Sequence, residues 1–334
     1  MTSSSPLESA RRQARALASA GAWRDVTSLL APLVAHESDG ELMLLYAQAR
    51  MRCGEEREAL AWLRGIEPQL AGADRSAHRR AVNMIGAACL AIGELGDAVR
   101  AFDDAFERAT EHDDLIVMAH ASNNLGAIAN MQGRHEAALW HYRLALPTFQ
   151  RLGKPVELAA TYHNLAITFR DVDSLDEADE HELRAIEYAT DVAPRFAAMA
   201  RVGRAELALR RGDAPLAETT ARLAADELHT LDDPQNEADA TRLIGCACAA
   251  QRRYADALAA FDRALAIARE RGHTLNEAET LRDRARTHLH RGEHALAVTD
   301  TEAAIALFSR LGATTERDAL LERLRQLGGH PDVV

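Results

Sequence analysis

"LGAIANMQGRHEAALWHYRLAL" (residues 125–146) and "IGCACAAQRRYADALAAFDRAL" (residues 244–265) are built on one plan. Each runs from an apolar residue and glycine into a short polar turn. Each then presents an alanine followed four residues later by an aromatic ring (Ala138 and Tyr142; Ala257 and Phe261), and closes on Ala-Leu. Glycine, alanine and leucine at helical offsets around a polar break read as helix, tight turn, helix.

The plan recurs along most of the chain. The turn residue is Gly21, Gly54, Gly93, Gly133, Asp173, Gly212, Arg252 and Gly292, at spacings of 33, 39, 40, 40, 39, 40 and 40. Seven residues before each turn stand Ala14, Ala47, Gly86, Gly126, Ala166, Ala205, Gly245 and Ala285. Five after each stand Val26, Ala59, Ala98, Ala138, Ala178, Ala217, Ala257 and Ala297, and twelve after the last six stand Ala105, Ala145, Ala185, Ala224, Ala264 and Ala304. Small residues held in register let two helix backbones approach closely. A pair of such helices cannot bury its apolar face alone, so neighbouring pairs must stack.

Asp, Gly and Pro punctuate the joints between pairs, in "EHDDL" (111–115), "GKP" (153–155), "APR" (193–195) and "DDP" (232–234). Asp233 followed by Pro234 predicts an N-cap with proline in the first turn. Thr315-Glu316-Arg317-Asp318 predicts a capping box. It opens a last amphipathic helix through Leu320, Leu321, Leu324 and Leu327.

Both quoted segments resemble tetratricopeptide repeats, in the longer-helix variety found in kinesin light chains and in several bacterial regulators. The resemblance spans roughly residues 10–310, strongest at 80–190 and 240–310. The aromatic of the motif is present as Phe102, Tyr142 and Phe261, but Glu182, Ala221 and Thr301 replace it elsewhere. It implies an all-α fold: a right-handed α-solenoid of about eight antiparallel helix pairs plus a C-terminal capping helix. Residues 1–72 read as degenerate repeat-like pairs, 73–312 as the regular array, and 313–334 as the capping helix and tail.

In this family the first helix of each pair lines a concave face that holds an extended peptide. By resemblance, Asn124 and Asn164, two before the small slot, are placed to hydrogen-bond a peptide backbone. An amide can donate and accept at once, which suits a peptide group. Three before the slot lie Asn83, Asn123, His163, Arg242 and Arg282. The same register puts Arg80, His120, Asn130, Met131, Arg170, Glu206, Arg286 and His290 on that face. Arg242, Arg282 and Arg286 form a basic end able to pair with a carboxylate or phosphate, with Asp239, Glu279 and Asp283 near enough to neutralise it internally.

Composition limits the alternatives. Of 334 residues 47% are hydrophobic, yet 15 are aromatic (3 Trp, 5 Tyr, 7 Phe), as expected for helices nested through small side chains. A net charge of −12 argues against a nucleic-acid or anionic-membrane surface. Cys53, Cys89, Cys246 and Cys248 form no C-x-x-C pair and read as buried free thiols. The N-terminal stretch lacks the continuous apolar segment of a signal peptide, and no run reaches the length of a membrane span, so a cytoplasmic protein is expected. The repeat register begins by residue 14, leaving no room before it for a DNA-binding head.

No catalytic pattern is present. "HEAAL" (135–139) and "HELRA" (181–185) lack the second histidine of a zinc-protease motif. "DVDSLDEADE" (171–180) lacks the central glycine of a calcium loop. His288, His290 and His294 straddle a turn rather than share a helix face. The expectation is a non-enzyme with no cofactor and no metal, a scaffold or adaptor for a protein or peptide ligand in the concave groove. The alternatives are a sensory module that binds a small peptide or metabolite and controls a separate effector, and a structural protein that associates with its own copies.

Overall fold

A computed structural model describes residues 6–36 and 39–326, and over these the chain forms seventeen helices and no strand. The first helices of eight successive pairs are α1 (Pro6–Ser19), α3 (Gly40–Arg52), α5 (Arg75–Ala91), α7 (Leu115–Met131), α9 (Pro155–Asp171), α11 (Pro194–Arg210), α13 (Pro234–Ala250) and α15 (Thr274–His290). Their partners are α2 (Trp23–Val34), α4 (Glu56–Ala73), α6 (Leu95–Glu111), α8 (His135–Arg151), α10 (Leu175–Ala189), α12 (Ala214–Thr230), α14 (Tyr254–Arg271) and α16 (His294–Leu311); α17 (Thr314–Gln326) follows.

All eight expected turn residues adopt left-handed backbone, from φ 61° at Arg252 to 84° at Gly93. The turn after α7 shows why. Arg134 N–H donates to Ala129 O and Gly133 N–H to Asn130 O, both at 2.8 Å, which satisfies carbonyls the helix end leaves open. The conformation suits glycine. Asp173 and Arg252 hold it with a Cβ, at a cost of roughly 1 kcal/mol each.

Every small slot is buried. Five residues after the turn, Val26, Ala59, Ala98, Ala138, Ala178, Ala217, Ala257 and Ala297 are all fully covered, as are Ala105, Ala145, Ala185, Ala224, Ala264 and Ala304 at twelve. The slot seven before the turn follows a rule of its own. It is glycine where its partner helix offers the motif's aromatic: a Cβ on Gly86, Gly126 or Gly245 would stand 2.6–2.7 Å from the ring of Phe102, Tyr142 or Phe261. Where the aromatic is absent, at Glu182, Ala221 and Thr301, the slot is Ala166, Ala205 and Ala285. Ring and missing Cβ fill one volume, so each requires the other.

Asp233 caps α13 through the Asn236 N–H at 3.3 Å, with Pro234 in the first turn, as expected. The last helix begins earlier than expected. Thr315 lies inside α17 rather than at its cap, because Ala313 O already accepts from Arg317 N–H at 3.1 Å. Leu320 and Leu324 are buried, and Leu327 lies outside the described residues. The cysteines are free thiols, Cys89 and Cys248 buried, Cys53 and Cys246 half-buried.

The chain divides into two compact units, residues 1–153 and 154–334. In the first, α1–α8 bury a core of Leu30, Leu42, Leu63 and Leu70, continued by Phe102, Cys89 and Ile128. In the second, α9–α17 bury one cluster around Phe261, Leu228 and Leu243 and another around Phe308, Ile305 and Leu324. Both cores are rich in alanine, so close backbone approach replaces bulky side chains as the source of contact area.

Candidate functional site

Each unit carries a groove lined by the first helices of successive pairs. In the first unit it encloses about 670 Å³ between α1, α3, α5 and α7. In the second it encloses about 570 Å³ between α11, α13 and α15. Counted from the small slot of each helix, the lining residues fall at the same offsets. Three before the slot are Leu44, Asn83, Arg242 and Arg282; two before are Leu45, Met84, Leu243 and Asp283. One after are Gln48, Ala87, Glu206, Cys246 and Arg286, and five after are Arg52, Ala91, Arg210, Ala250 and His290. Offsets of −3, +1 and +5 differ by one helical turn, so they form one stripe on one face.

Asn124 and Asn164 occupy the offset filled by Leu45, Met84, Leu243 and Asp283 in the grooves. Both are half-buried, and neither side-chain amide hydrogen-bonds among the described residues. Asn83 lines the first unit's groove, and its Oδ1, like that of Asn123, is buried without a partner among the described residues. His120 lines the same groove, with its ring centroid 5.2 Å from that of Phe149. Asn130 is engaged at the turn, where its Oδ1 lies 3.0 Å from His135 Nδ1.

In the second unit His163 turns away from its stripe. Its Nδ1 lies 2.9 Å from Oε2 of Glu182, the residue standing where other pairs have the aromatic. Glu182 is buried and His163 half-buried. Burial pulls the imidazole pKa down, but the Glu182 charge and hydrogen bond outweigh it and leave it raised. Burial raises the Glu182 pKa, offset only in part by His163. Glu182 also presses on Gly203 of α11, where any Cβ would collide with its carboxylate. Arg170 pairs with Glu206 of α11 at 2.6 Å.

The three arginines of the expected basic end converge on one aspartate. Arg242 pairs with Asp283 at 2.7 Å and Asp239 at 2.6 Å; Arg282 and Arg286 reach Asp283 at 3.2 and 3.4 Å. Cys246 Sγ donates to Asp283 Oδ2 at 3.4 Å. Burial disfavours the Asp283 charge, yet Arg242 and Arg282 overcome it and hold the carboxyl at about 2. Burial and the neighbouring Asp283 push the Cys246 thiol up to about 12, so it is a neutral donor rather than a nucleophile. Burial also raises Glu279. Arg242, Arg282 and Arg286 against Asp239, Glu279 and Asp283 leave the cluster with no net charge. The basic end is therefore balanced internally, and Arg286, half-exposed, is its most accessible member.

Two acidic clusters have arginine counterions. The run 171–180 is met by α11, where Arg210 pairs with Asp173 and Arg211 with Asp176. Cys89, Glu94 and Asp97 are close enough together to hold a metal ion, a grouping the sequence pattern did not suggest. Arg64 already supplies positive charge there, 3.4 Å from Asp97 and 3.8 Å from Glu94.

Sequence reasoning missed the floor and rim that α3 gives the first groove. Leu44, Leu45, Gln48, Met51 and Arg52 lie there. The signal was present: Leu44, Gln48 and Arg52 hold the stripe offsets around Ala47, in a pair read as degenerate.

Residues 117–191 match the family model for the tetratricopeptide repeat. No curated protein matches the sequence. Among solved structures, the chain is similar to a Rap protein complexed with Competence and Sporulation Factor, at 16% identity and a TM-score of 0.65 over 96% of each chain. It is similar to the apo quorum sensor NprR from B. thuringiensis, at 14% identity and 0.63, covering 97% of this chain and 99% of that one. It is also similar to the Rap conjugation gene regulator of plasmid pLS20 in complex with the Phr* peptide, at 16% identity and 0.64, covering 83% and 76%. At these identities the likeness carries the fold. Among the described residues no helix is long and apolar enough to cross a membrane. Residues 117–191 match the tetratricopeptide repeat, and the described residues have the α-solenoid fold of the similar structures.

Proposed function

We propose that the chain is a cytoplasmic binding scaffold that recognises an extended peptide or a peptide segment of a partner protein along the first-helix stripes. The observation that carries this is the common register: the same offsets line both grooves, and at those offsets Asn83, Asn124 and Asn164 keep amide capacity that the fold does not use. A half-buried amide without a partner gains most from a ligand that supplies both donor and acceptor, as a peptide backbone does. One similar structure holds Competence and Sporulation Factor and another the Phr* peptide, which supports the reading by analogy of fold. The test is a selection of random displayed heptapeptides on the full chain. Recovered peptides are then titrated against wild type and an Asn83→Ala/Asn124→Ala/Asn164→Ala variant. Loss of about tenfold in affinity is expected, the scale of one or two buried hydrogen bonds. Equal affinity rejects the amide stripe, and a library that yields no binder rejects the function.

A second reading is a sensor whose shape responds to the peptide and alters an effector, favoured by the nearly full mutual coverage with the quorum sensor NprR. Compaction in small-angle scattering on adding a recovered peptide supports it; an unchanged profile leaves the scaffold.

A further inference from the structure

The two grooves offer a ligand different electrostatics. In the second unit the arginines Arg242, Arg282 and Arg286 are committed to Asp283 and its neighbours. In the first unit Arg15 is committed to Glu41, but Arg80 has no ion-pair partner among the described residues, and Arg52 lies over the Trp23 ring, 5.9 Å from its centroid. Glu56, at the start of α4, is the opposing charge. Three arginines against two glutamates make this lining positive, in a chain whose net charge is −12.

The floor between those charges is aliphatic: Leu44, Leu45, Met51, Met84 and Ile116. Leucine and methionine accept branched apolar side chains without demanding one shape. Above this floor the Asn83 Oδ1 is buried without a partner, a state that disfavours the empty groove and is relieved by a ligand N–H.

We infer that the groove of the first unit binds an aliphatic peptide segment carrying an acidic residue, its carboxylate on Arg80 and Arg52 and its backbone on Asn83. This rests on the peptide-binding reading above and adds the ligand's chemistry and its place. The acidic surface elsewhere repels such a ligand, while the positive lining of this groove attracts it. Arginine forks suit a carboxylate, and the apolar floor supplies the contact area that surface arginines alone do not.

The probe is again a random heptapeptide library displayed against the full chain. Recovered peptides are measured by fluorescence anisotropy on wild type, Arg80→Glu, Glu56→Ala and Arg286→Glu. Arg80 is exposed and unpaired, so its replacement leaves folding intact, and circular dichroism verifies this. Recovered sequences should combine Leu, Ile, Val or Met with Asp or Glu. Arg80→Glu should weaken them about tenfold or more, Glu56→Ala should tighten them about twofold, and Arg286→Glu should weaken them by less than Arg80→Glu does. If the recovered peptides are basic or lack acidic residues, or lose affinity in Arg286→Glu and not in Arg80→Glu, peptide binding stands and this inference falls. If none is recovered, both fall.

Discussion

The grooves of the two units share a register and differ in what their charges do. Around α13 and α15 the stripe positions hold Arg242, Arg282, Asp283 and Arg286, which spend their charge on one another. Around α3 and α5 the same positions hold Leu44, Leu45, Asn83 and Met84, with Arg80 at the edge free of any ion pair among the described residues. A repeat thus sets where a side chain points, while the residue placed there decides whether it serves the fold or a ligand. A buried ion network gains specificity of packing at the cost of desolvation, and its charges are unavailable to a newcomer. An aliphatic floor with a loose cationic rim keeps both contact area and charge for a partner.

The comparison breaks most readily at Asp283. Asp283→Ala strands two arginines and removes a main partner of buried Arg242. Because Arg242 keeps Asp239, the expected loss is about 3 kcal/mol, at the lower end for a broken buried pair. Hydrogen exchange in α13 and α15 should accelerate accordingly, and unchanged exchange would show the network to be ornamental to stability.

Acid offers the next largest effect. Asp283 is held at about 2 in the folded protein, below the ordinary aspartate value near 3.9, so the unfolded chain binds more protons between those limits. The stabilisation is complete above about pH 4 and is lost as pH falls towards 2, amounting to about 2 kcal/mol. Exchange in α15 should report this slope, and Asp283→Asn should flatten it.

A smaller effect tests what the units have in common. Gly126→Ala and Gly245→Ala each drive a Cβ to 2.6 Å from a buried ring, of Tyr142 and of Phe261. Overpacking outweighs the gain in helix propensity and leaves a net cost of about 1 kcal/mol in either unit. Unequal costs in chemical denaturation would mean that the units do not share their pairing geometry.

The smallest effect sharpens the contrast. Arg80→Ala should change stability by less than about 0.5 kcal/mol, as expected for an unpaired surface residue. A larger loss in thermal denaturation would reveal that the first groove, too, uses its charge for the fold.

The sequence alone determined what depends on short range. Eight turns, the small slots and the stripe offsets each arise within one helix–turn–helix, where glycine's freedom at positive φ and alanine's size act on nearest neighbours. Even the pairing of Gly86 with Phe102 was legible in principle, since ring and slot lie sixteen residues apart in one pair. Tertiary structure decided the fate of charge. Arg242 meets Asp283 across 41 residues, between different pairs, and His163 leaves its stripe because Glu182 stands in a ring's place and draws it inward. Periodicity specifies direction along a helix, but electrostatic partnership depends on which side chain the next helix brings within a few ångströms, and on how much water remains there. The same limit hid the first groove: its floor on α3 kept the register but not the motif, and only the stacking of α3 against α5 made it a groove.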